Sequence, residues 1–508
     1  MTRQRIFSGL VVFLLTVGPA SAQPRIDPAG IEGALLVCGR GEVSPAAYQR
    51  FIDLAGGVKA KIVIVATDKA ATVPVALVPS AKKKEVHEVR LVHPDNAKEA
   101  LRTATGVWFM IESSKWRNPV ALQEDCRALI KRGGVVGTEG PEAVWVSQVL
   151  NLLPGGIVET DAGDARMIVE DKPADQFKPK PRPIVFLIEP KCALLLQGRT
   201  LSVIGEGSTD IYLAKSKTLP VRTIKLQGKA QEDLTALRLA MRDRADGFPP
   251  AKPEPPVLDK GTLVIVGGGG SPKGLYQKFV EYAGGPEKAH VVIFPTAAPD
   301  PLPKRDSVAA TFKKAGAKKV TILYGKTQKE VESKEFLDTL KDATGIWFDG
   351  GRQWRFVDAY ENTKALPLMH DVLKRGGVIG GTSAGATIQG DYLARGGVFN
   401  NFDIRYEGYE RGLGFLKGVA IDQHFTQRKR QTDMTKLMKV HPQYLGIGID
   451  EATAIVVQGQ TAQIIGNGKV HFYDANRKVQ KGQPDYEALP EGGWYDLKER
   501  RVLQPESR

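Results

Sequence analysis

The sequence predicts an α/β fold, with two tandem domains that are each built on a doubly wound parallel sheet. Short continuous apolar runs alternate with longer amphipathic stretches: the runs at 263–266 and 291–294 flank a helical stretch at 276–282, and another helical stretch is predicted over 357–373. Continuous apolar runs are typical of parallel strands that helices cover on both faces. The same set of motifs also occurs twice along the chain, in the same order.

This internal repeat divides the chain into two copies. The segment LLVCGRG at 35–41 corresponds to LVIVGGG at 263–269, and ATGVWF at 104–109 corresponds to ATGIWF at 343–348. Between the copies lies a proline-rich segment at 249–256, which can form neither a helix nor a sheet ladder and is typical of a stiff linker. The chain is therefore predicted to consist of two copies of one domain.

The first residues have the features of a secretory signal peptide. Arg3 and Arg5 precede an apolar run at 6–17, which ends in the small residues ASA at 20–22. The run is shorter than the ~20 residues that cross a bilayer, although an uncleaved anchor is the alternative. We expect a secreted or periplasmic mature chain that begins near Gln23 and leaves the membrane once the signal is cleaved. The predicted divisions are a signal peptide (1–22), a first domain (23–247), a linker (248–260) and a second domain (261–508).

Composition and charge are those of an ordinary globular protein, with 42% hydrophobic and 25% charged residues among 508. The formal net charge of +14 is spread over many short clusters, and no nucleic-acid module accompanies it. We therefore expect a solvated basic surface and no nucleic-acid partner. The three cysteines, Cys38, Cys126 and Cys192, allow one disulfide at most, and whether one forms stays open. No cofactor and no metal site are expected.

The sharpest motif is GGTSAGA at 380–386, which contains G-x-S-x-G after a predicted strand and before a helical run. Such a tight turn holds the serine with strained dihedral angles and needs small residues on both sides. It also points the N–H of Ala384 at a forming oxyanion, with the positive end of the helix behind it. Ser383 is therefore the candidate nucleophile. The alternative is a plain packing turn, since the glycine-rich turn at 267–270 shows that glycines occur in this chain for other reasons.

A nucleophilic serine needs a base, and the chain has seven histidines. His424 ends an apolar run at 419–421, and a parallel strand there would deliver it to the same sheet edge as Ser383. Asp450 and Glu451 follow another short apolar run, where a carboxylate could orient the imidazole. The order serine, histidine, acid differs from that of α/β-hydrolases, in which the acid precedes the histidine. An esterase of that fold is therefore the runner-up.

Taken together, these motifs resemble those of cyanophycinases, relatives of dipeptidase E. The resemblance covers about residues 258–475, with several separated motifs in the right order. It implies a class I glutamine amidotransferase-like (flavodoxin-like) fold with serine in place of the nucleophilic cysteine. The matching residues are GTSAGA at 381–386, DQHF at 422–425, Arg428, Arg430 and GIDE at 448–451.

The resemblance also implies roles for individual residues. Ser383 would attack the carbonyl and form an acyl-enzyme, His424 would be the base, and Glu451 would orient the imidazole. The turn GGRQ would supply a second oxyanion N–H at Gly351, in addition to that of Ala384. The implied substrate contacts are Gln353, Asp422, Gln423, Arg428 and Arg430.

The substrate class that the resemblance implies is cyanophycin or related β-aspartyl and acidic peptides. Cyanophycin is a polyaspartate that carries an arginine on each β-carboxylate, so its hydrolysis requires groups for both charges. Arg428 and Arg430 suit a carboxylate, and Asp422 suits a guanidinium; without the resemblance, the two arginines are typical of a solvated helix face. Asp433 stands where the family usually has a further arginine, which leaves the substrate open between cyanophycin and other acidic peptides.

The first copy lacks these groups. Its corresponding turn is VGTEGP at 136–141, where Glu139 is interpreted as standing in place of the serine, and no histidine follows before the linker. Residues 188–190 (IEP) replace the strand end that bears Glu451. We expect a non-catalytic domain that supplies either the interface of an intramolecular pseudo-dimer, in place of a homodimer, or a surface for a polymeric substrate. A wholly non-catalytic binding or scaffold protein is the alternative function.

Overall fold

The computed structural model describes residues 25–68, 71–78, 88–111, 116, 119–139, 153–159, 162, 165 and 184–504. The predicted signal peptide at 1–22 lies outside the described residues, as do Gly140 and Pro141 of the turn in the first copy. The described residues before the proline-rich segment form the first half of the molecule, and those after it form the second half.

The first half is built on an eight-stranded sheet and a four-stranded sheet. Its strands are β1 (Ala34–Cys38), β2 (Lys61–Ala66), β3 (Glu88–Val92), β4 (Gly106–Met110), β5 (Val135–Glu139), β6 (Gly156–Glu159), β7 (Ile184–Ile188), β8 (Cys192–Gln197), β9 (Thr200–Gly205), β10 (Ser208–Leu213), β11 (Arg222–Gln227) and β12 (Glu232–Asp233). Its α-helices are Pro45–Leu54, Ala97–Thr103, Gln123–Lys131 and Leu234–Asp246, and its short 3₁₀ helices are Gly57–Lys59, Val75–Leu77, Pro94–Asn96 and Pro119–Leu122.

The second half is built on a nine-stranded sheet and a five-stranded sheet. Its strands are β13 (Thr262–Val266), β14 (His290–Phe294), β15 (Lys319–Ile322), β16 (Gly345–Phe348), β17 (Val378–Thr382), β18 (Gly390–Leu393), β19 (Leu416–Gln423), β20 (Leu445–Ile449), β21 (Thr453–Gln458), β22 (Thr461–Gly466), β23 (Val470–Asp474), β24 (Glu487–Leu489), β25 (Trp494–Asp496) and β26 (Arg501–Val502). Its helices are Leu275–Tyr282, Asp306–Lys314, Gln328–Val331, Lys334–Asp342, Trp354–Tyr360, Ala365–Lys374, Ala384–Thr387 and Gln431–Val440.

The sheets of the two halves have equivalent strand orders. The larger sheets follow β3-β2-β4-β5-β1-β8-β9 and β15-β14-β16-β17-β13-β21-β22. In each, the first five strands run parallel and the next are antiparallel. The smaller sheets contain β6-β7-β10-β11 and β19-β20-β23-β24, in which only the first pair is parallel. The predicted mixed α/β architecture with parallel strands is confirmed.

Both faces of the nine-stranded sheet are covered, which explains why its strands are apolar at successive positions. Alternate residues of β13 enter two different hydrophobic clusters. Val264 and Val266 pack with the helix Leu275–Tyr282, whereas Leu263 and Ile265 pack on the other face. Each face therefore buries aliphatic side chains, and this burial stabilises the fold by about 25 cal/mol for each Å² of apolar surface removed from water.

The predicted single helical stretch over 357–373 is two helices, Trp354–Tyr360 and Ala365–Lys374. Between them the chain turns at Asn362, which has a φ of 53° in the left-handed region that interrupts a helix. The Glu361 carboxylate lies 2.8 Å from Nη1 of Arg242, which belongs to the first half. A contact between the halves therefore accompanies this break.

The two halves pack closely through the helix Leu234–Asp246 of the first half. A Cβ added at Gly408 would lie 2.0 Å from the carbonyl oxygen of Ala236, so only a glycine fits there. Arg222 and Arg244 of the first half both form ion pairs with Glu407 of the second half. The interface therefore combines close backbone packing with paired charges.

The three cysteines are buried and free, so the possible disulfide does not form in this structure. Burial raises the pKa of the Cys38 thiol well above its ordinary value. Among the described residues, we find no helix with the length and apolar character that spanning a bilayer would require.

Candidate active site

Ser383 lies in a sharp turn between β17 and the short helix that begins at Ala384. Its φ of 56° and ψ of −114° are unfavourable for a residue with a side chain. A Cβ added at Gly385 would lie 2.0 Å from the carbonyl oxygen of Phe348, and one at Gly381 would lie 2.4 Å from the carbonyl oxygen of Gly385. Neither position accepts a side chain, so the flanking glycines are what permits this turn.

His424 and Glu451 extend from Ser383 in a line of short contacts. The Oγ of Ser383 is 3.0 Å from Nε2 of His424, and Nδ1 of His424 is 2.6 Å from Oε1 of Glu451. The prediction that one sheet edge carries both Ser383 and His424 is wrong, because β19 belongs to the five-stranded sheet whereas β17 belongs to the nine-stranded sheet. The two sheets meet where the N–H of His424 donates to the carbonyl of Gly267, at 2.8 Å.

The surroundings of His424 favour the neutral form of its imidazole. Burial lowers the pKa of His424 below its ordinary value; the hydrogen bond that His424 donates to Glu451 acts in the opposite direction, and the positive charge of Arg428 lowers the pKa further. A neutral imidazole can accept a proton from a hydroxyl group at neutral pH. The three side chains are therefore arranged as a nucleophile, a base and an orienting acid.

The two neighbouring carboxylates, Asp450 and Glu451, have different surroundings. Oδ1 of Asp450 accepts hydrogen bonds from the N–H and the hydroxyl of Thr426, at 3.0 and 2.7 Å, and Oδ2 accepts one from the N–H of Lys469, at 3.1 Å. Asp450 thus joins two loops, while Glu451 contacts His424.

The glycine run that follows β13 encloses the imidazole and its acid, a role that the sequence did not reveal. A Cβ added at Gly268 would lie 2.4 Å from Cε1 of His424, and one at Gly269 would lie 2.3 Å from Cδ of Glu451. The signal was available, because β13 is the parallel neighbour of β17, and a loop that leaves the end of β13 must pass beside Ser383.

Two backbone N–H groups beside the nucleophile, those of Gly351 and Ala384, donate no hydrogen bond within the part of the chain that the structure describes. A Cβ added at Gly350 would lie 3.9 Å from Oγ of Ser383, so this turn packs directly against the serine. Gly351 itself has a φ of 149°, and a Cβ there would lie 2.2 Å from the carbonyl oxygen of Ala297. Both N–H groups are therefore free to bind an oxygen of a reacting carbonyl.

Asp422 is fully buried and holds two guanidinium groups of the protein. Its Oδ2 accepts a hydrogen bond from Nε of Arg395 at 2.9 Å, and its Oδ1 accepts one from Nη1 of Arg430 at 2.7 Å. Arg395 also donates to Oδ2 of Asp433, at 2.8 Å. Arg395 was missed by the sequence reasoning, because nothing in its local pattern distinguishes it from a surface arginine.

The other residues predicted to contact substrate differ in their exposure. Gln353 is buried, and its amide nitrogen donates to the carbonyls of Ala394 and Arg395 at 2.9 and 2.8 Å. Gln423 is also buried, and its Oε1 has no hydrogen-bond partner among the described residues. Arg428 is exposed. The roles of these residues as substrate contacts, and those of Asp422 and Arg430, stay predictions.

In the first half, the interpretation that Glu139 stands at the serine position is wrong by one residue. β5 pairs with β4 in the register in which β17 pairs with β16, and this register equates Glu139 with Thr382, the residue before Ser383. Gly140, which follows, lies outside the described residues. The carboxylate of Glu139 accepts a hydrogen bond from the hydroxyl of Tyr48, and burial raises the pKa of Glu139.

Comparisons with known proteins point to one family. The model of peptidase family S51 matches residues 263–465. The cyanophycinase of Geminocystis herdmanii (strain PCC 6308) is 31% identical over 221 residues, which are 42% of this chain and 81% of the relative. The cyanophycinase of Trichormus variabilis (strain ATCC 29413 / PCC 7937) is 30% identical over 230 residues, 44% of this chain and 77% of the relative.

Among solved structures, a peptidase from an acI-B1 Actinobacterium is similar, with 24% identity, a TM-score of 0.37, and coverage of 47% of this chain and 97% of that one. These two relatives align with the chain over most of their own length and are identical to it at just under a third of the aligned positions. The chain belongs to peptidase family S51, as a cyanophycinase-like member.

Proposed function

We propose that this chain is an exported serine peptidase that hydrolyses cyanophycin or related β-aspartyl and acidic peptides. The observation that carries the proposal is the line of contacts Ser383–His424–Glu451, with distances of 3.0 and 2.6 Å, at a serine whose backbone is held at a positive φ. A strained serine bonded to a neutral histidine has no packing purpose that a glycine or alanine would not serve better.

The proposed reaction begins when Nε2 of His424 removes the proton from Oγ of Ser383 as Oγ bonds to the carbonyl carbon. The oxyanion is held by the N–H groups of Gly351 and Ala384, each of which contributes about 10²–10³ in rate in comparable sites. The imidazolium, stabilised by Glu451, then gives its proton to the departing amine, which leaves an acyl-enzyme on the serine.

Hydrolysis of the acyl-enzyme reverses these roles. His424 removes a proton from water, the resulting hydroxide attacks the ester carbonyl, and the same two N–H groups hold the second oxyanion. The ester bond to Ser383 breaks, Oγ regains the proton from the imidazolium, and the product leaves with a new carboxylate. The burial that lowers the pKa of His424 leaves Nε2 unprotonated, and so able to accept a proton, before each of these steps.

Arg428 is the residue best suited to bind a substrate carboxylate. It is exposed beside His424, and its side chain makes no hydrogen bond or ion pair among the described residues. Three buried residues and the partly exposed Asp433 form a series of alternating charge: Arg430, Asp422, Arg395 and Asp433. Each member has a partner of opposite sign within the protein. We infer that this series fixes the floor of the pocket, while Arg428 contributes an unpaired positive charge.

We also propose that the two halves are tandem copies of one doubly wound, flavodoxin-like domain of the class I glutamine amidotransferase type. The equivalent strand orders of both pairs of sheets support this origin. The first copy would be non-catalytic, since no histidine follows β5 before the linker. The leader at 1–22 supports export to the periplasm or the medium.

The test is to incubate residues 23–508 with cyanophycin, β-aspartyl dipeptides and α-aspartyl peptides, and to identify the products by mass spectrometry. We expect β-aspartyl-arginine or another β-aspartyl product, and an intact-mass increase on Ser383 when turnover is quenched. Ser383→Ala is the control for contaminating peptidases. Hydrolysis of simple esters with no cleavage of any peptide would point to an esterase instead, and absence of turnover on every substrate would contradict the proposal.

A further inference from the structure

Two open cavities are adjacent, since Gln231 of the first half lines both of them. The larger has a volume of about 960 Å³ and lies between the halves, and the smaller has a volume of about 470 Å³ and lies on β8 and β9. The larger is lined by residues that include Arg222, Lys229, Phe399, Asp403, Arg405 and Tyr406. The smaller is lined by residues that include Arg50, Gln197, Thr200 and Ser202.

One loop connects the larger cavity to the candidate active site. Its residues Phe399, Asn400 and Asp403 line the cavity. The backbone of the same loop is bound by Arg352, whose Nη2 donates to the carbonyl of Asn400 at 2.7 Å. Arg352 directly follows Gly351, so the loop that lines the cavity is bound by a residue of the turn that packs against the serine.

The larger cavity presents unpaired charges of both signs. Arg222 and Arg244 are already paired with Glu407. By contrast, Lys229, Arg405 and Asp403 are exposed and form no ion pair among the described residues. An extended ligand that carries both carboxylates and cationic groups fits this arrangement, because each of its charges finds an opposite one. A purely anionic chain would meet Asp403, and a purely cationic chain would meet the two cations.

Together, the two cavities offer more room than a site for a single small molecule. Sites for small molecules have volumes of about 300–1,000 Å³, and each of these cavities lies in that range. An extended chain advances by about 3.3–3.6 Å per residue, so a ligand that occupies both cavities at once would need several residues.

We propose that these two cavities form a binding track for the part of a long, mixed-charge peptide polymer that lies outside the catalytic pocket. The first half would thereby favour polymeric over short substrates without taking part in the chemistry. The proposal rests on the proposed function in one respect: the polymer in the track is the substrate cleaved at Ser383.

The experiment compares Arg405→Glu and Lys229→Glu with the wild type in the full mature chain, on soluble cyanophycin and on its shortest cleaved fragment. Each reversal should raise KM for the polymer about fivefold, as expected for an exposed charge pair of up to ~1 kcal/mol, and leave kcat unchanged. The short fragment should be cleaved with unchanged kcat/KM. Lys278→Glu, an equal charge change at an exposed residue that lines neither cavity, is the matched control.

A second measurement separates the track from the chemistry. In the Ser383→Ala background, binding of a fluorescent polymer is followed by anisotropy, and Arg405→Glu should weaken it about fivefold while Lys278→Glu should not. If the wild type cleaves nothing but this loss of binding is seen, the proposed function fails and the track stands. If the wild type cleaves both substrates and the reversals alter polymer and fragment equally, or alter neither, the track is refuted and the function stands.

Discussion

Arg199 of the first half inserts one guanidinium group among side chains of both halves. Its Nε and Nη2 donate to the carboxylate of Asp233 at 2.5 and 2.8 Å, and its Nη1 donates to Asp358 at 2.6 Å. The guanidinium also lies 5.3 Å from the ring centre of Trp354, the first residue of the helix that follows Gly351. We expect Arg199→Met, which removes the charge but keeps much of the stem, to destabilise this junction and the turn beside Ser383.

The magnitude follows from burial. The Asp233 and Asp358 side chains are only 1% and 11% exposed, and removing one partner of a buried ion pair costs ~3–5 kcal/mol. For a unit of 150–250 residues, 1 kcal/mol lowers Tm by about 2–4 °C, so we expect a decrease of about 10 °C. Burial raises the pKa of Asp358 to about 6, with Arg199 acting against that rise, so losing Arg199 should raise it further.

The assay combines thermal unfolding and kinetics at two pH values. A carboxyl group whose pKa is raised by folding is neutral below that pKa, so the loss of stability in Arg199→Met should be smaller at pH 5 than at pH 8. Asp358→Asn in the same chain should recover part of the loss, since it removes the uncompensated charge. Turnover should fall mainly through a lower kcat, with a smaller change in KM. A loss of stability that is equal at both pH values and unaffected by Asp358→Asn would refute this reasoning.

Three further predictions concern the site itself. Ser383→Ala should have a Tm within about 1 °C of the wild type or above it, because the substitution removes no packing contact. It should retain less than a few per cent of the wild-type turnover in a product assay. The acidic limb of kcat/KM should lie below pH ~6.5, because burial lowers the pKa of His424. Arg428→Ala should move this limb to higher pH, since it removes a positive charge that lowers the same pKa. A limb that does not move would contradict an effect of Arg428 on His424. Gly268→Ala should lower kcat by displacing the imidazole, whereas Gly274→Ala, at an equally left-handed but open position, should affect stability alone when both are compared by kinetics and Tm.

The parts of the site that could be predicted are those specified by local sequence. The turn at Ser383 depends on Gly381 and Gly385, which are within two residues of it, so its letters alone predict its geometry. The position of Glu451 was accessible for the same reason, since a carboxylate directly after a short strand must lie at a sheet edge.

What could not be predicted depends on contacts between distant segments. A run of apolar residues identifies β19 as a strand but does not specify which strands it pairs with. The sequence therefore could not show that β19 belongs to a second sheet. The helix break at Asn362 accompanies a contact of Glu361 with the other half. Polarity likewise predicts that Asp422 has a partner without specifying Arg395, which lies 27 residues away in the chain.

Asp433 illustrates how such a distant contact changes the interpretation of a departure from the family pattern. Taken alone, an aspartate in place of an arginine suggests a weaker field for a substrate carboxylate. In the structure, this aspartate is 35% exposed and lies 2.8 Å from Nη2 of Arg395, which is itself 3% exposed and bonded to Asp422. A buried arginine held between two carboxylates keeps its charge compensated. An arginine at position 433 would instead face the like charge of Arg395, so Asp433 and Arg395 are best understood as one ion pair. Asp433 therefore compensates Arg395, and the positive charge available to a substrate carboxylate is that of Arg428.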